Sequence, residues 1–146
     1  MIDYEKIREI IDVHDESVEF GSYGEGTSRE WIRKAEERLG IKFPLSYVWW
    51  LSKYGGGEIY GDEVFSVYGM DFDTVVGGDI VYMNELNRKN GRTASAQLAI
   101  MENDQGESYY LALNEVDDDG ENPVYVNGKR YADSFADFLI RYIDSD

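Results

Sequence analysis

Residues 27–57, TSREWIRKAEERLGIKFPLSYVWWLSKYGGG, read as two capped helices joined by a tight corner. Thr27 suits an N-cap, and Glu30, three residues on, can complete a capping box by reaching back to the cap amide. Ile32, Ala35 and Leu39 recur at i, i+3 and i+7, which buries one face of the first helix and leaves Arg29, Arg33, Lys34, Glu37 and Arg38 in solvent. Gly40 stands where a helix end needs a left-handed residue. Pro44 opens the second helix at N1, where a missing amide proton has no intrahelical partner to lose. Tyr47, Trp50, Leu51 and Tyr54 form its buried stripe, and Gly55-Gly56-Gly57 ends it.

The rest of the chain reads as α+β. Residues 2–13 form a first helix with Tyr4, Ile7, Ile10 and Ile11 on one side, and residues 21–26 form a flexible glycine loop. That loop lacks the spacing and the lysine of a phosphate cradle. Residues 58–60 and 64–68 suit short strands, and residues 79–89 a helix with Ile80, Met83 and Leu86 or Asn87 inward, stopped by Asn90-Gly91. A meander follows. Gln97 to Met101 is apolar enough to be covered on both faces, residues 102–106 turn, and residues 108–113 return. Pro123 opens a strand, Asn127-Gly128 is a two-residue hairpin turn, and residues 129–131 pair back. A closing helix, capped by Asp133 or Ser134, buries Phe135, Phe138, Leu139 and Tyr142. No repeat or linker interrupts the 146 residues, so one domain is expected over 1–146.

Charge and composition narrow the function. Thirty acidic against 14 basic side chains give a formal net charge of −16. Residues 61–146 hold 18 of the acidic and 6 of the basic groups, so the excess sits mainly after the helix pair. Phosphate binding needs clustered Lys and Arg, which argues against nucleic acid and anionic membrane surfaces and favours a basic macromolecule. With no cysteine the chain has no disulfide and no thiolate site. No leader-like start and no membrane-length apolar run is present, so a soluble, cytoplasmic protein is expected.

Chemistry is poorly represented. His14, the only histidine, sits at the end of the first helix and suits a surface or helix-terminal role. Glu115 to Gly120 imitates the start of a calcium loop, but position twelve would be Val126, so an ordinary acidic turn is expected. Carboxylate pairs such as Asp62-Glu63 and Asp71/Asp73 are common by chance in so acidic a chain. No catalytic residue, metal ligand or cofactor site is assigned.

Protein binding has better candidates. Glu58, Tyr60, Asp62 and Glu63, then Tyr68, Asp71 and Asp73, then Asp104 and Glu107 place carboxylates among aromatic residues in successive loops. Aromatic area supplies affinity, and carboxylates match Arg and Lys on a basic partner. Trp49 lies off the buried stripe of its helix, so it either packs on a second element or meets a partner.

The run A-E-x-x-L-G-I-K-F-P-x-x-Y-x-x-W-L-x-x-Y-G-G-G from Ala35 to Gly57 resembles the signature of the SMI1/KNR4 family within the SUKH superfamily. The ending from Tyr131 to Leu139, Y-A-D-S-F-A-D-F-L, is similar to the family's closing helix. The resemblance spans residues 27–140. It implies an α+β fold with helices packed against a mainly antiparallel sheet. It also implies that the chain resembles bacterial immunity proteins, which are cytoplasmic and bind a cognate toxin domain, often a nuclease. The superfamily also contains cell-wall and signalling regulators, so an interaction module with a non-toxin partner is the second reading and a small-molecule-binding or enzymatic domain the third.

Overall fold

A computed structural model describes residues 2–145. In chain order the elements are α1 (Tyr4–Val13), β1 (Val18–Phe20), α2 (Arg29–Leu39), α3 (Leu45–Tyr54), β2 (Gly57–Ile59), β3 (Asp62–Val64), α4 (Ile80–Lys89), β4 (Gln97–Glu102), β5 (Ser108–Ala112), β6 (Val124–Val126), β7 (Lys129–Ala132) and α5 (Phe135–Ile143). The seven strands form one sheet in the order β1 to β7, each antiparallel to the next. The fold is therefore α+β, with helices packed on an antiparallel sheet. Its core joins the stripes of α2, α3 and α5 to β4 and β5, and Trp50, Tyr47, Phe135 and Phe138 are its largest fully buried side chains.

The helix pair forms as its apolar spacing predicts, but both caps differ in detail. Ser28, not Thr27, caps α2: its hydroxyl accepts from the Trp31 amide at 3.3 Å, and Thr27 donates to the Val67 carbonyl at 3.4 Å. A capping side chain serves the amide two or three residues on, and here the hydroxyl at residue 28 is the one that reaches the Trp31 amide. With the cap moved by one, Glu30 falls out of the capping box and instead pairs with Lys34 at 3.4 Å. Pro44 is the N-cap of α3 and not its first residue, with an extended backbone at ψ 153°. Proline brings no side-chain acceptor, so Glu121 supplies one from 75 residues away: its carboxylate accepts from the Ser46 amide at 3.0 Å and the Ser46 hydroxyl at 2.6 Å.

Glu121 is 2 % exposed, and burial pushes its carboxyl pKa up. Because the folded pKa lies above the unfolded one, the folded chain binds the proton more tightly, and this residue's contribution rises as pH falls from the folded pKa toward 4.5. Compared with Glu121→Gln in urea melts between pH 7 and pH 4.5, the natural chain should gain relative stability on acidification. Glu121→Ala, which strands the Ser46 amide, should cost about 2 kcal/mol at pH 7.

Four further points differ from the expectation. Residues 18–20 form β1, a strand too short to stand out, which pairs with β2. The loop before α2 is fixed in place: its Gly24 and Thr27 amides each donate at 2.8 Å, to the Lys53 and Leu51 carbonyls at the end of α3. The strand expected over residues 64–68 runs over Asp62–Val64, because Tyr60 and Gly61, both at positive φ, make a two-residue turn. On α4 the inward face turns by about one residue relative to the expectation, to Ile80, Val81, Asn84 and Asn87, while Met83 and Leu86 are half-buried.

Candidate protein-binding surface

The β2–β3 hairpin sends its side chains to two sides of the sheet. Glu58 stands opposite Glu19 of β1 and Glu63 of β3, so three carboxylates cross adjacent strands in one row on the face away from α5. Like charges directly opposite each other on neighbouring strands repel. Among the described residues no Lys or Arg forms an ion pair with any of the three. Glu63 alone has a neutral partner, the Tyr68 hydroxyl, which donates to it at 2.5 Å and accepts from the Gly78 amide at 2.8 Å. Burial, and then this bond to a carboxylate, push the Tyr68 phenol up to about 12.

Glu63 and Tyr68 also line a cleft of about 740 Å³. It lies between the start of α2, the Gly55–Gly57 run and residues 66–70. Trp31, Met70 and Ser66 join it; none of these was marked in the sequence, where Trp31 looks like one more residue of an amphipathic helix and Ser66 like strand interior.

Asp62 points the other way. It accepts from the Tyr142 hydroxyl of α5 at 2.6 Å, and Tyr60 at the turn donates to the Ile143 carbonyl. Burial, then the bond to Asp62, raises the Tyr142 pKa. These residues and Asp104 line a second hollow of about 520 Å³ with Tyr109, Tyr131 and Arg141. Arg141 lies over the Tyr131 ring at 4.1 Å and donates to the Tyr131 carbonyl at 2.6 Å.

The remaining candidates separate by partner. Asp73 is held by Arg38 at 3.0 Å, and Arg38 also holds Glu85 at 2.8 Å, so this trio ties the 71–75 turn to α2 and α4. Asp71 closes that turn by accepting from the Asp73 amide at 2.9 Å. Glu107 joins two hairpin ends, accepting from Asn103 and Asn127, each at 2.9 Å. Trp49 is half-buried: α1 covers it through Tyr4, stacked at 4.7 Å, and Tyr54 meets its edge at 5.8 Å. His14 caps α1, bonding to the Ile10 carbonyl at 2.8 Å. In the acidic turn Asp117 accepts from the Asp119 and Glu121 amides at 2.8 and 3.0 Å.

The ten candidates thus do not form one patch. Glu63 and Tyr68 meet at the cleft, with Glu58 opposite Glu63 on the next strand, while Tyr60, Asp62 and Asp104 gather at the second hollow. Of these, only Glu58 and Asp104 have no side-chain partner among the described residues. Among those residues no helix is long and apolar enough to cross a membrane.

Comparison with known families finds a match over most of the chain: residues 29–139 fit the SUKH_6 profile, described as SMI1-KNR4 cell-wall. The matched span runs from the first residue of α2 into α5 and so takes in six of the seven strands. With the helix pair, the antiparallel sheet and the closing helix all in place, the chain belongs to the SMI1/KNR4 family of the SUKH superfamily.

Proposed function

We propose that this protein is an intracellular immunity protein that binds the toxic domain of a cognate bacterial toxin, a basic nuclease domain, and blocks it by stoichiometric occlusion. The supporting observation is the row Glu19, Glu58 and Glu63, with which no Lys or Arg forms an ion pair among the described residues. Such a row repels itself in the free protein and is relieved by a partner's Arg and Lys. Family membership supports a role in protein–protein interaction, and the net charge of −16 favours fast encounter with a basic surface.

Co-expression with the toxin encoded beside its gene should protect cells, and the purified pair should associate at least about 10-fold more slowly at 500 mM than at 50 mM salt. Glu58→Lys should slow association by about 10-fold without lowering the urea midpoint, which should rise slightly because a cation between Glu19 and Glu63 relieves their repulsion. No protection together with no complex at low salt would reject the proposal. The word cell-wall in the family description favours a second reading, a regulatory module with a non-toxin partner, which a gene neighbourhood without a toxin would support.

A further inference from the structure

We propose that the cleft between the start of α2, the glycine run and residues 66–70 receives an extended, basic segment of the protein partner; this rests on the binding role proposed above and assigns it a place. The floor of the cleft is main chain. At Gly56, φ is 149° and an added Cβ would lie 2.6 Å from the Ser66 hydroxyl, so this glycine lets the run pack against residue 66, and residues 55–57 present no side chain to the opening. Ser66 is 3 % exposed and lines the cleft, yet its hydroxyl has no hydrogen-bond partner among the described residues. That hydroxyl opens to the cleft, where water serves it in the free protein and a main-chain group of a bound segment can take the water's place.

The walls suit the same occupant. Met70 is 53 % exposed and Tyr68 39 %, although both are large, and Trp31 stands beside them. An adaptable thioether beside aromatic rings is a common contact surface for partner side chains. Glu25 and Glu63 supply charge, no Lys or Arg lines the cleft, and Glu63 continues into the row with Glu58 and Glu19. The start of α2 would attract an anion, but Ser28 already caps it. A cationic segment is therefore the complementary one. The second hollow is less selective, since Arg141 sits among its carboxylates.

The test uses the full chain, labelled at methionine methyls and at nitrogen, with two probes: the toxin domain encoded by the adjacent gene, and a blocked Arg-Leu-Arg-Leu-Arg peptide. On adding either, the Met70 methyl and Trp31 indole signals should shift, whereas the Glu-Leu-Glu-Leu-Glu peptide should leave them in place. Glu25→Lys and Met70→Asp should each weaken the toxin complex at least 10-fold, and Asp104→Lys at the second hollow less than 3-fold, with urea midpoints confirming that all three fold. A toxin complex of natural strength in both cleft variants, or one weakened only by Asp104→Lys, overturns the cleft assignment while leaving the immunity role standing. Shifts with the basic peptide but no toxin complex remove the immunity role and keep the cleft. Silence with both probes removes both.

Discussion

Asp79→Ala should destabilise the fold by about 3–4 kcal/mol, among the largest losses expected from any single polar side chain of this protein. Asp79 is fully buried and caps α4, accepting from the Val81 amide at 2.9 Å and the Tyr82 amide at 3.0 Å. Its second oxygen accepts from the Tyr68 amide at 3.0 Å. One carboxylate thus serves three main-chain donors on two segments, and alanine leaves all three without an acceptor away from water. An ordinary exposed cap contributes only about 1 kcal/mol; the excess expected here comes from burial. Asp79→Asn keeps one oxygen and should lose roughly half as much. Urea denaturation at pH 7 measures both, and a loss below about 1 kcal/mol for alanine would show that water or rearranged backbone serves those donors. Because the Tyr68 contact fixes one wall of the cleft, Asp79→Asn should also loosen the Tyr68–Glu63 bond, seen as a lower Tyr68 pKa in a spectrophotometric titration.

Asn84→Leu should cost about 3 kcal/mol, although it places a larger apolar residue in an apolar core. The Asn84 amide accepts from the Ala99 amide at 2.7 Å and donates to the Ala99 carbonyl at 2.9 Å, and donates again to the Ile80 carbonyl at 2.9 Å. On its β3 side β4 has no strand beside Ala99, because β3 pairs with it only at Val64 and Met101. A single side chain from α4 therefore takes the part of the missing strand. Leucine adds apolar bulk but strands both polar groups of Ala99, and an unmade buried bond costs more than a made one gains. Asn84→Asp should fare no better at neutral pH, since a carboxylate would face two carbonyl oxygens, and lowering the pH should recover part of its loss. Hydrogen exchange at the Ala99 amide gives a local readout: it should accelerate in both variants before global unfolding does.

Asp79 and Asn84 also show what a sequence can disclose. Spacing sufficed for the helix pair, for β4 and for α5, because a buried stripe repeats at a helical or strand period and Tyr47, Trp50, Leu51, Phe135, Phe138 and Leu139 all follow it. Periodicity succeeded only in part at α4: Ile80 and Asn87 lie inward as it allows, but so does Asn84, a polar residue whose burial depends on Ala99 of another element and which nothing local marks. The cap of α3 was hidden for the same reason: proline offers no acceptor, and Glu121 lies 75 residues along the chain. At the candidate surface, residue types were legible and their grouping was not. Glu58, Asp62 and Glu63 are near neighbours in sequence, but the alternation of the hairpin sends Asp62 toward α5 and the other two to the opposite face. Asp73 and Glu107, read as free carboxylates, are held by Arg38 and by two asparagines.

The order of the sheet has a consequence for how the molecule comes into being. Strands lie side by side in the order in which they occur in the chain, so each new strand finds its neighbour already made. The β2–β3, β4–β5 and β6–β7 pairs close over short turns, and such local closures are entropically cheap and fast. Two pairings are longer closures: α4 separates β3 from β4, and α2 and α3 separate β1 from β2, so β1 pairs only once two helices have condensed. Slowing that condensation, for instance with a glycine substituted for Ala35 in α2, should leave the β4–β7 meander forming early and β1 docking late.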